Sequence, residues 1–273
     1  SDMVPLLTLN THERLRTAAR RGETLAECSL DLGWSTVTVG INAAGWTWKN
    51  SHYAWMQRCR ARTIYYPDGD DFQPVARYGA SLVKLVPTDW GPPTFEIDGV
   101  KMLPTEHVSP YQDAEHKVRL IQPRNKVILD TCGGLGYFAA WCLRGQARQV
   151  LSFEKNPDVV WLRELNPWSP PDSGALTLTR GDIVEEITTL GDRSIDAILH
   201  DPPRFGIAGE LYSQVFYQEL ARVLKRRGKL FHYTGTPNKL TSGRDVPNEV
   251  ARRLRHAGFV TEYREDGVLA VRT

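Results

Sequence analysis

Four cysteines in 273 residues, with no C-x-x-C pair and no histidine at metal-ligand spacing, leave nothing for a disulfide framework or a structural zinc site. Cys28, Cys59, Cys132 and Cys142 therefore read as reduced thiols, and no metal is expected. No apolar run approaches the ~18 residues of a membrane-spanning helix, and no signal-peptide pattern opens the chain. A soluble, cytoplasmic protein is the expectation. Charge of one sign is missing too: 34 Lys and Arg stand against 32 Asp and Glu, a net charge of +2. That balance argues against a dominant electrostatic nucleic-acid binder and leaves room for a local basic face. Ser1-Asp2 ahead of Met3 read as a tag remnant and are set aside.

The length suits one catalytic domain with an N-terminal addition. Thr11 to Arg21 reads as a short helix, capped by Thr11 and stopped by Gly22, whose Arg14, Arg16, Arg20 and Arg21 make a solvated face. From Cys28 the texture changes to strand-like alternation, as in Thr36 to Ile41, with Gly33, Gly40 and Gly45 as turns or bulges. Ser51 to Arg62 reads as a helix. Ser81 to Val86 and Thr94 to Leu103 read as strands, the second folded into a hairpin at Asp98-Gly99. Trp34, Trp46, Trp48, Trp55 and Trp90 gather in this region, mostly as core or interface residues. A β-rich (α+β) accessory domain over residues 1–107 is expected, with a role in substrate recognition, followed by an α/β domain over 108–273.

The second domain turns on Val127 to Ala139. An apolar run ends in Asp130, a glycine cluster follows, and a helix pattern begins at Tyr137: strand, tight turn, helix. Glycines there admit positive φ and the close approach of a ligand, while the helix offers its first N–H groups. Two cofactors compete for such a turn. Gly134 to Ala139 satisfies the dinucleotide pattern G-x-G-x-x-G/A, with Glu154 near the expected spacing. Asp130 tips the reading, because a carboxylate repels a pyrophosphate, whereas S-adenosylmethionine (SAM) carries a sulfonium and an ammonium. The stretch resembles the nucleotide-binding motif of the class I SAM-dependent methyltransferases. One departure is Cys132, where that family usually has glycine; a slightly altered turn is expected.

Beyond the turn, strands and helices alternate. Strands at Gln149–Phe153, Leu176–Thr179, Ser194–His200, Lys229–Tyr233, Val260–Tyr263 and Val268–Val271 are interleaved with helices opening at Asn156-Pro157, over Glu210–Arg227 and over Pro247–His256. A helix from Tyr111 to Ile121 precedes them. The pattern implies a Rossmann-like, doubly wound and largely parallel sheet, whose ligands sit beyond the carboxyl ends of the strands. Asp130, Glu154, Asp182 and Asp201 fall at those ends. The resemblance implies that Glu154 accepts the ribose hydroxyls, that Asp182 beside Ile183 accepts the adenine amino group, and that Asp130 lies near the methionine ammonium. It adds Cys132, Gly133, Gly134, Gly136 and Tyr137 as the turn, with Tyr111 and Gln112 as cofactor neighbours.

Asp201-Pro202-Pro203-Arg204-Phe205 resembles the D/N-P-P-aromatic signature of amino-group methyltransferases. There the acid and a proline carbonyl accept hydrogens from the target amine. Two prolines fix φ and remove two donors, giving a rigid elbow suited to in-line positioning. Arg204 replaces the aromatic and Phe205 follows it, a pattern also seen in some ribosomal RNA methyltransferases. Phe205 either stacks on a planar substrate or plugs the sheet edge, and Arg204 pairs either with a substrate anion or with a local acid such as Glu210. His200 suits a structural role better than that of a general base. His232 and Tyr233 are pocket candidates.

The portion from about Val108 onward also looks like an uncharacterised, largely archaeal group of predicted methyltransferases. The matching stretches include Leu129-Asp130-Thr131-Cys132, Asn166-Pro167-Trp168-Ser169, the motif from Leu199 to Phe205 and Leu230-Phe231-His232-Tyr233, with Glu96-Ile97-Asp98-Gly99 reaching into the N-terminal domain. The expectation is N-methylation of an amine or planar base in RNA, protein, peptide or metabolite, with the acceptor and the oligomeric state, a homo-oligomer included, left open. An aminopropyltransferase of the spermidine-synthase type is the competing enzyme. A non-catalytic RNA-binding module is the third reading, using Arg222, Lys225, Arg226, Arg227, Lys229, Lys239 and Arg244 with Arg252, Arg253 and Arg255.

Overall fold

A computed structural model describes residues 3–235 and 245–273. Lys239 and Arg244 of the expected basic patch, and Ser1 and Asp2, lie outside the described residues. The chain divides into two compact units, residues 1–111 with 161–168, and residues 112–160 with 169–273.

The first unit opens with α1 (Leu9–Arg20). Its cap is Thr8 rather than Thr11: extended Thr8 accepts the Thr11 N–H on its hydroxyl at 3.3 Å, which leaves Thr11 inside the first turn. Strands β1 (Leu25–Cys28), β2 (Val37–Asn42), β3 (Gly45–Trp48) and β4 (Ser51–Ala54) form an antiparallel meander. The expected helix from Ser51 to Arg62 does not form: residues 51–54 are strand and residues 55–62 are irregular, with a turn at 61–62. Lys49 and Asn50 both take positive φ (49° and 65°), which makes a two-residue hairpin turn and pairs Ser51 with Trp48. Tyr53 then lays its ring 4.4 Å from that of Trp46, and this cross-strand contact overrides the local helical pattern.

A two-stranded ribbon, β5 (Tyr65–Asp68) and β6 (Asp71–Pro74), follows. The strands β7 (Ala76–Tyr78), β8 (Leu82–Val86), β9 (Thr94–Ile97) and β10 (Val100–Lys101) make a second antiparallel sheet. Its last hairpin turns at Asp98 and Gly99, at φ 49° and 79°. Trp46 is fully buried with Leu7, Leu15, Leu30 and Val39, Trp48 and Trp55 are half-buried, and Trp34 and Trp90 are each 50% exposed.

The second unit holds most of α2 (Pro110–Ile121), then β11 (Val127–Asp130), α3 (Tyr137–Arg144), β12 (Gln149–Glu154), the first part of α4 (Pro157–Leu165), β13 (Leu176–Arg180) and α5 (Ile183–Glu186). After these come β14 (Ile195–His200), α6 (Gln214–Val223), β15 (Leu224–Tyr233), α7 (Val246–His256), β16 (Phe259–Arg264) and β17 (Gly267–Arg272). Seven strands form one sheet in the order β13-β12-β11-β14-β15-β17-β16. The first five run parallel, and β17 lies antiparallel between β15 and β16. This is the Rossmann-like α/β class expected from the alternating pattern. Leu129, Ile198, Leu220, Leu230 and Leu254 are fully buried in its core.

The expected helix from Glu210 to Arg227 breaks into a short 3-10 turn (Gly209–Tyr212) and α6, which ends at Val223. Leu224 turns extended, is buried and pairs with Ile195, while Ala197 pairs with Lys229. Lys225, Arg226 and Arg227 are looped out between those pairs, exposed, with Arg227 at φ 66°. Burial of Leu224 in the sheet outweighs the helical propensity of the basic run.

Candidate active site

The sheet order sets the tips of β13, β12, β11 and β14 side by side. Asp182, Glu154, Asp130 and Asp201 therefore stand on four adjacent strand ends, in that order. At ~4.8 Å per strand the row extends over about 14 Å, long enough for an elongated ligand.

Asp130 is buried, and its Oδ2 accepts from the Ser152 hydroxyl at 2.9 Å. Between β11 and α3 the backbone is knitted into the sheet. The Thr131 N–H donates to Leu199 O at 3.1 Å, Gly133 N–H to Phe153 O at 2.7 Å and Gly136 N–H to Gly133 O at 2.8 Å. Gly134 and Gly136 take φ of 52° and 84°, which a Cβ would strain, and Gly136 caps α3 with no side chain of its own. Cys132 is half-buried, and burial pushes its thiol well up, so it stays protonated. Tyr137 is buried at the first turn of α3.

Glu154 stiffens this turn. Its Oε1 accepts from Gly134 N–H at 3.0 Å and its Oε2 from Asn156 N–H at 2.8 Å. Asp182 caps α5 through Val184 N–H at 2.9 Å, has Lys155 Nζ 3.9 Å from its other oxygen, and is followed by buried Ile183. Tyr111 belongs to the first unit, where its ring meets Trp168 edge-on at 5.3 Å, and Gln112 is exposed.

At the motif, Pro202 is buried, and the Pro203 carbonyl accepts from the Tyr212 hydroxyl at 2.8 Å. Phe205 packs edge-on against the same tyrosine, with ring centres 5.4 Å apart, while Arg204 is exposed. Burial pushes the Asp201 carboxyl up to about 7, Lys117 pulls it down, and Asp130 and Asp113 push it up further.

His200 and His232 lie behind the elbow, both fully buried, with ring centres 4.5 Å apart. His200 Nε2 faces the Leu211 carbonyl at 2.8 Å and so carries the proton. Its Nδ1 then accepts from the Thr131 hydroxyl at 2.6 Å. His232 is the mirror case: Nδ1 donates to Tyr233 O and Nε2 accepts from the Tyr217 hydroxyl, each at 2.8 Å. Burial lowers His200 to about 4 and His232 well below its usual value, so both are neutral. Their ring nitrogens hold the scaffold together.

Four residues around the site carry no sequence signal strong enough to single them out. Tyr212 and Tyr217 belong to the stretch read as one long helix. Asp113 and Lys117 are an ordinary i, i+4 pair on α2, yet Lys117 is buried, ion-paired with Asp113 and 4.0 Å from the centre of the Tyr233 ring. Burial pushes the Tyr233 hydroxyl up to about 12.

Much of the expected basic patch is engaged within the protein. Arg222 donates to the carbonyls of Ile187 and Leu190 and pairs with Asp192 and Glu219. Lys225 pairs with Asp196, Lys229 meets Gln122, Arg253 bonds Tyr212 O and Arg255 bonds Thr261. Arg226, Arg227 and Arg252 are exposed. Among the described residues no three His, Cys, Asp or Glu side chains group as metal ligands, and no helix is long and apolar enough to cross a membrane.

The uncharacterized protein MJ1233 of Methanocaldococcus jannaschii is 42% identical over 211 residues, which cover 76% of this chain and 72% of that protein. The chain belongs to the MJ1233 family. No family model matches it. Solved structures of similar fold lie further off in sequence. A spermidine synthase in complex with the transition-state analogue AdoDATO is 16% identical, with a TM-score of 0.58 over 72% of this chain and 73% of that one. MNMC2 from Aquifex aeolicus is 18% identical, with a TM-score of 0.51 over 69% and 70%. At such identities the likeness is one of fold, which this MJ1233 relative shares with those two proteins.

The residues present suit SAM. Carboxylates on adjacent strand tips would complement a sulfonium and an ammonium, and a positive-φ glycine turn with no capping side chain would leave room for a nucleoside at the backbone.

Proposed function

We propose that the chain is a SAM-dependent methyltransferase that modifies a nitrogen atom, on an amine or a planar base. The observation carrying this reading is the row Asp182, Glu154, Asp130 and Asp201 on four adjacent strand tips, ending at the Pro202-Pro203 elbow. In this reading Glu154 accepts the ribose hydroxyls, Asp182 and the start of α5 take the adenine edge, and Asp130 neutralises the ammonium. The cofactor supplies an electrophilic methyl group on a sulfonium. Asp201 and the Pro202 carbonyl orient the acceptor nitrogen, and the Asp201 carboxylate receives its proton. Tyr212 keeps the elbow in place through the Pro203 carbonyl. Phe205 and Tyr233 line the acceptor side, with Arg204 toward solvent. The first unit, with its half-exposed Trp34 and Trp90, serves acceptor recognition.

The test is titration calorimetry with S-adenosylhomocysteine, followed by mass spectrometry of cell extract treated with enzyme and methyl-labelled SAM. Binding and a labelled nitrogen product are expected. No binding, with a nicotinamide dinucleotide bound instead, would end this reading.

The likeness to spermidine synthase supports a second reading, aminopropyl transfer from decarboxylated SAM. Buried Lys117, whose positive charge acts on Asp201, is a poor neighbour for a polycationic acceptor. Incubation with putrescine and decarboxylated SAM is expected to give no product.

A further inference from the structure

Lys117 is the buried charge at the site that the roles above leave unused. Only 3% of the residue is exposed, although a lysine is rarely buried unless something holds its charge. Two groups do so. Asp113, one helical turn earlier on α2, forms an ion pair with it, and the face of the Tyr233 ring receives the ammonium 4.0 Å from its centre. Tyr233 closes β15, the strand beside β14, and Asp201 directly follows β14. The pair is thereby held at the same end of the sheet as the motif acid. Removing a lysine ammonium from water is unfavourable before its partners offset it, so a merely structural helix face would sooner carry a leucine here.

We propose that Lys117, locked between Asp113 and the Tyr233 ring, is a positioning residue that sets the charge of Asp201 so that this carboxylate can take the proton from the acceptor nitrogen. The inference rests on the methyltransferase reading for its purpose, but the charge relationship stands by itself. The groups whose charge acts on Asp201, or is acted on by it, come from several elements: Lys117 and Asp113 from α2, Asp130 from β11, Cys132 from the glycine turn, Tyr212 from the 3-10 turn and Tyr233 from β15, which follows His232 as Asp201 follows its partner His200. Among these Lys117 is the one cation, and it opposes burial and two carboxylates. Without it Asp201 would hold its proton through neutral pH and could only donate. With it, a fraction of the enzyme presents a carboxylate near pH 7. As the N–C bond formed, the sulfonium S–CH₃ bond would break and its electron pair would stay on sulfur, S-adenosylhomocysteine leaving; the proton from the nitrogen would reside on Asp201 and pass to solvent once the product departs.

The experiment titrates the full chain labelled with carboxyl-¹³C aspartate by NMR from pH 4 to 9, with the Asp201 resonance assigned by its loss in Asp201→Asn. Lys117→Met, which keeps the side-chain length, is expected to raise the Asp201 midpoint by about one unit or more. Asp113→Asn removes a repelling acid and releases the lysine from its partner, so it is expected to lower the midpoint. Opposite movements support the proposal. Movement in the same direction, or no movement, overturns it, and if Lys117→Met does not fold, Asp113→Asn decides alone. Calorimetry with S-adenosylhomocysteine on the same proteins separates the two readings. Unchanged cofactor affinity with a moved midpoint supports both, whereas absent binding in the wild type removes the methyltransferase reading and leaves the titration to judge Lys117.

Discussion

The Thr131 hydroxyl donates to Nδ1 of His200 across 2.6 Å, joining the start of the glycine turn to the last residue of the strand that Asp201 follows. Thr131→Val removes the donor and leaves a buried imidazole nitrogen facing a methyl group. A loss of about 1–3 kcal/mol is expected, read as a lower urea midpoint with an unchanged slope. Because both halves of the site hang on this bond, S-adenosylhomocysteine affinity should fall as well.

Acidification acts on the two buried histidines and on Asp201 with opposite signs. The folded protein keeps His200 neutral down to about pH 4, while the unfolded chain protonates it from about 6.5. Across that window the unfolded state binds more protons, so this contribution to stability is lost as the pH falls. His232, also lowered, adds to the loss. Asp201 holds its proton up to about 7 when folded against an ordinary 3.8, so its contribution grows on acidification through the same range. In Asp201→Asn the offset is gone, and urea denaturation between pH 7 and 4 should show a steeper decline than in the wild type.

Glu154 has a stabilising task apart from any ligand, because its two oxygens accept from Gly134 and Asn156. Glu154→Gln turns an amide NH₂ toward one of those donors. A cost of about 1–2 kcal/mol is expected by thermal melting, together with a loss of S-adenosylhomocysteine affinity on the order of tenfold or more by calorimetry.

For Asp201→Ala, methyl transfer should be abolished in extract labelling while cofactor affinity stays within a few-fold of the wild type. An equal loss of both would assign Asp201 to the cofactor instead.

In the first unit, Trp46→Ala should cost about 3–5 kcal/mol, since the ring is fully buried against Tyr53 and Phe72. Trp34→Ala, half-exposed and edge-on to Trp168, should cost far less. The contrast is read from chemical denaturation of the two variants, and equal costs would mean that Trp34 is structural.

The sequence by itself determined the alternation of strands and helices, the glycine turn after Asp130 and the placing of acids at strand ends, because each is written in local periodicity and in residues with special backbone freedom. It missed where α6 stops and that Ser51 begins a strand, because burial of Leu224 and the packing of Tyr53 on Trp46 are long-range gains that local propensity does not contain. Only the tertiary structure decided that β11 lies between β12 and β14, which gathers four distant acids into one row, and that α2 delivers Lys117 to Tyr233. Neither can be read along the chain, since strand order and helix docking are set by which apolar faces cover one another rather than by neighbours in sequence.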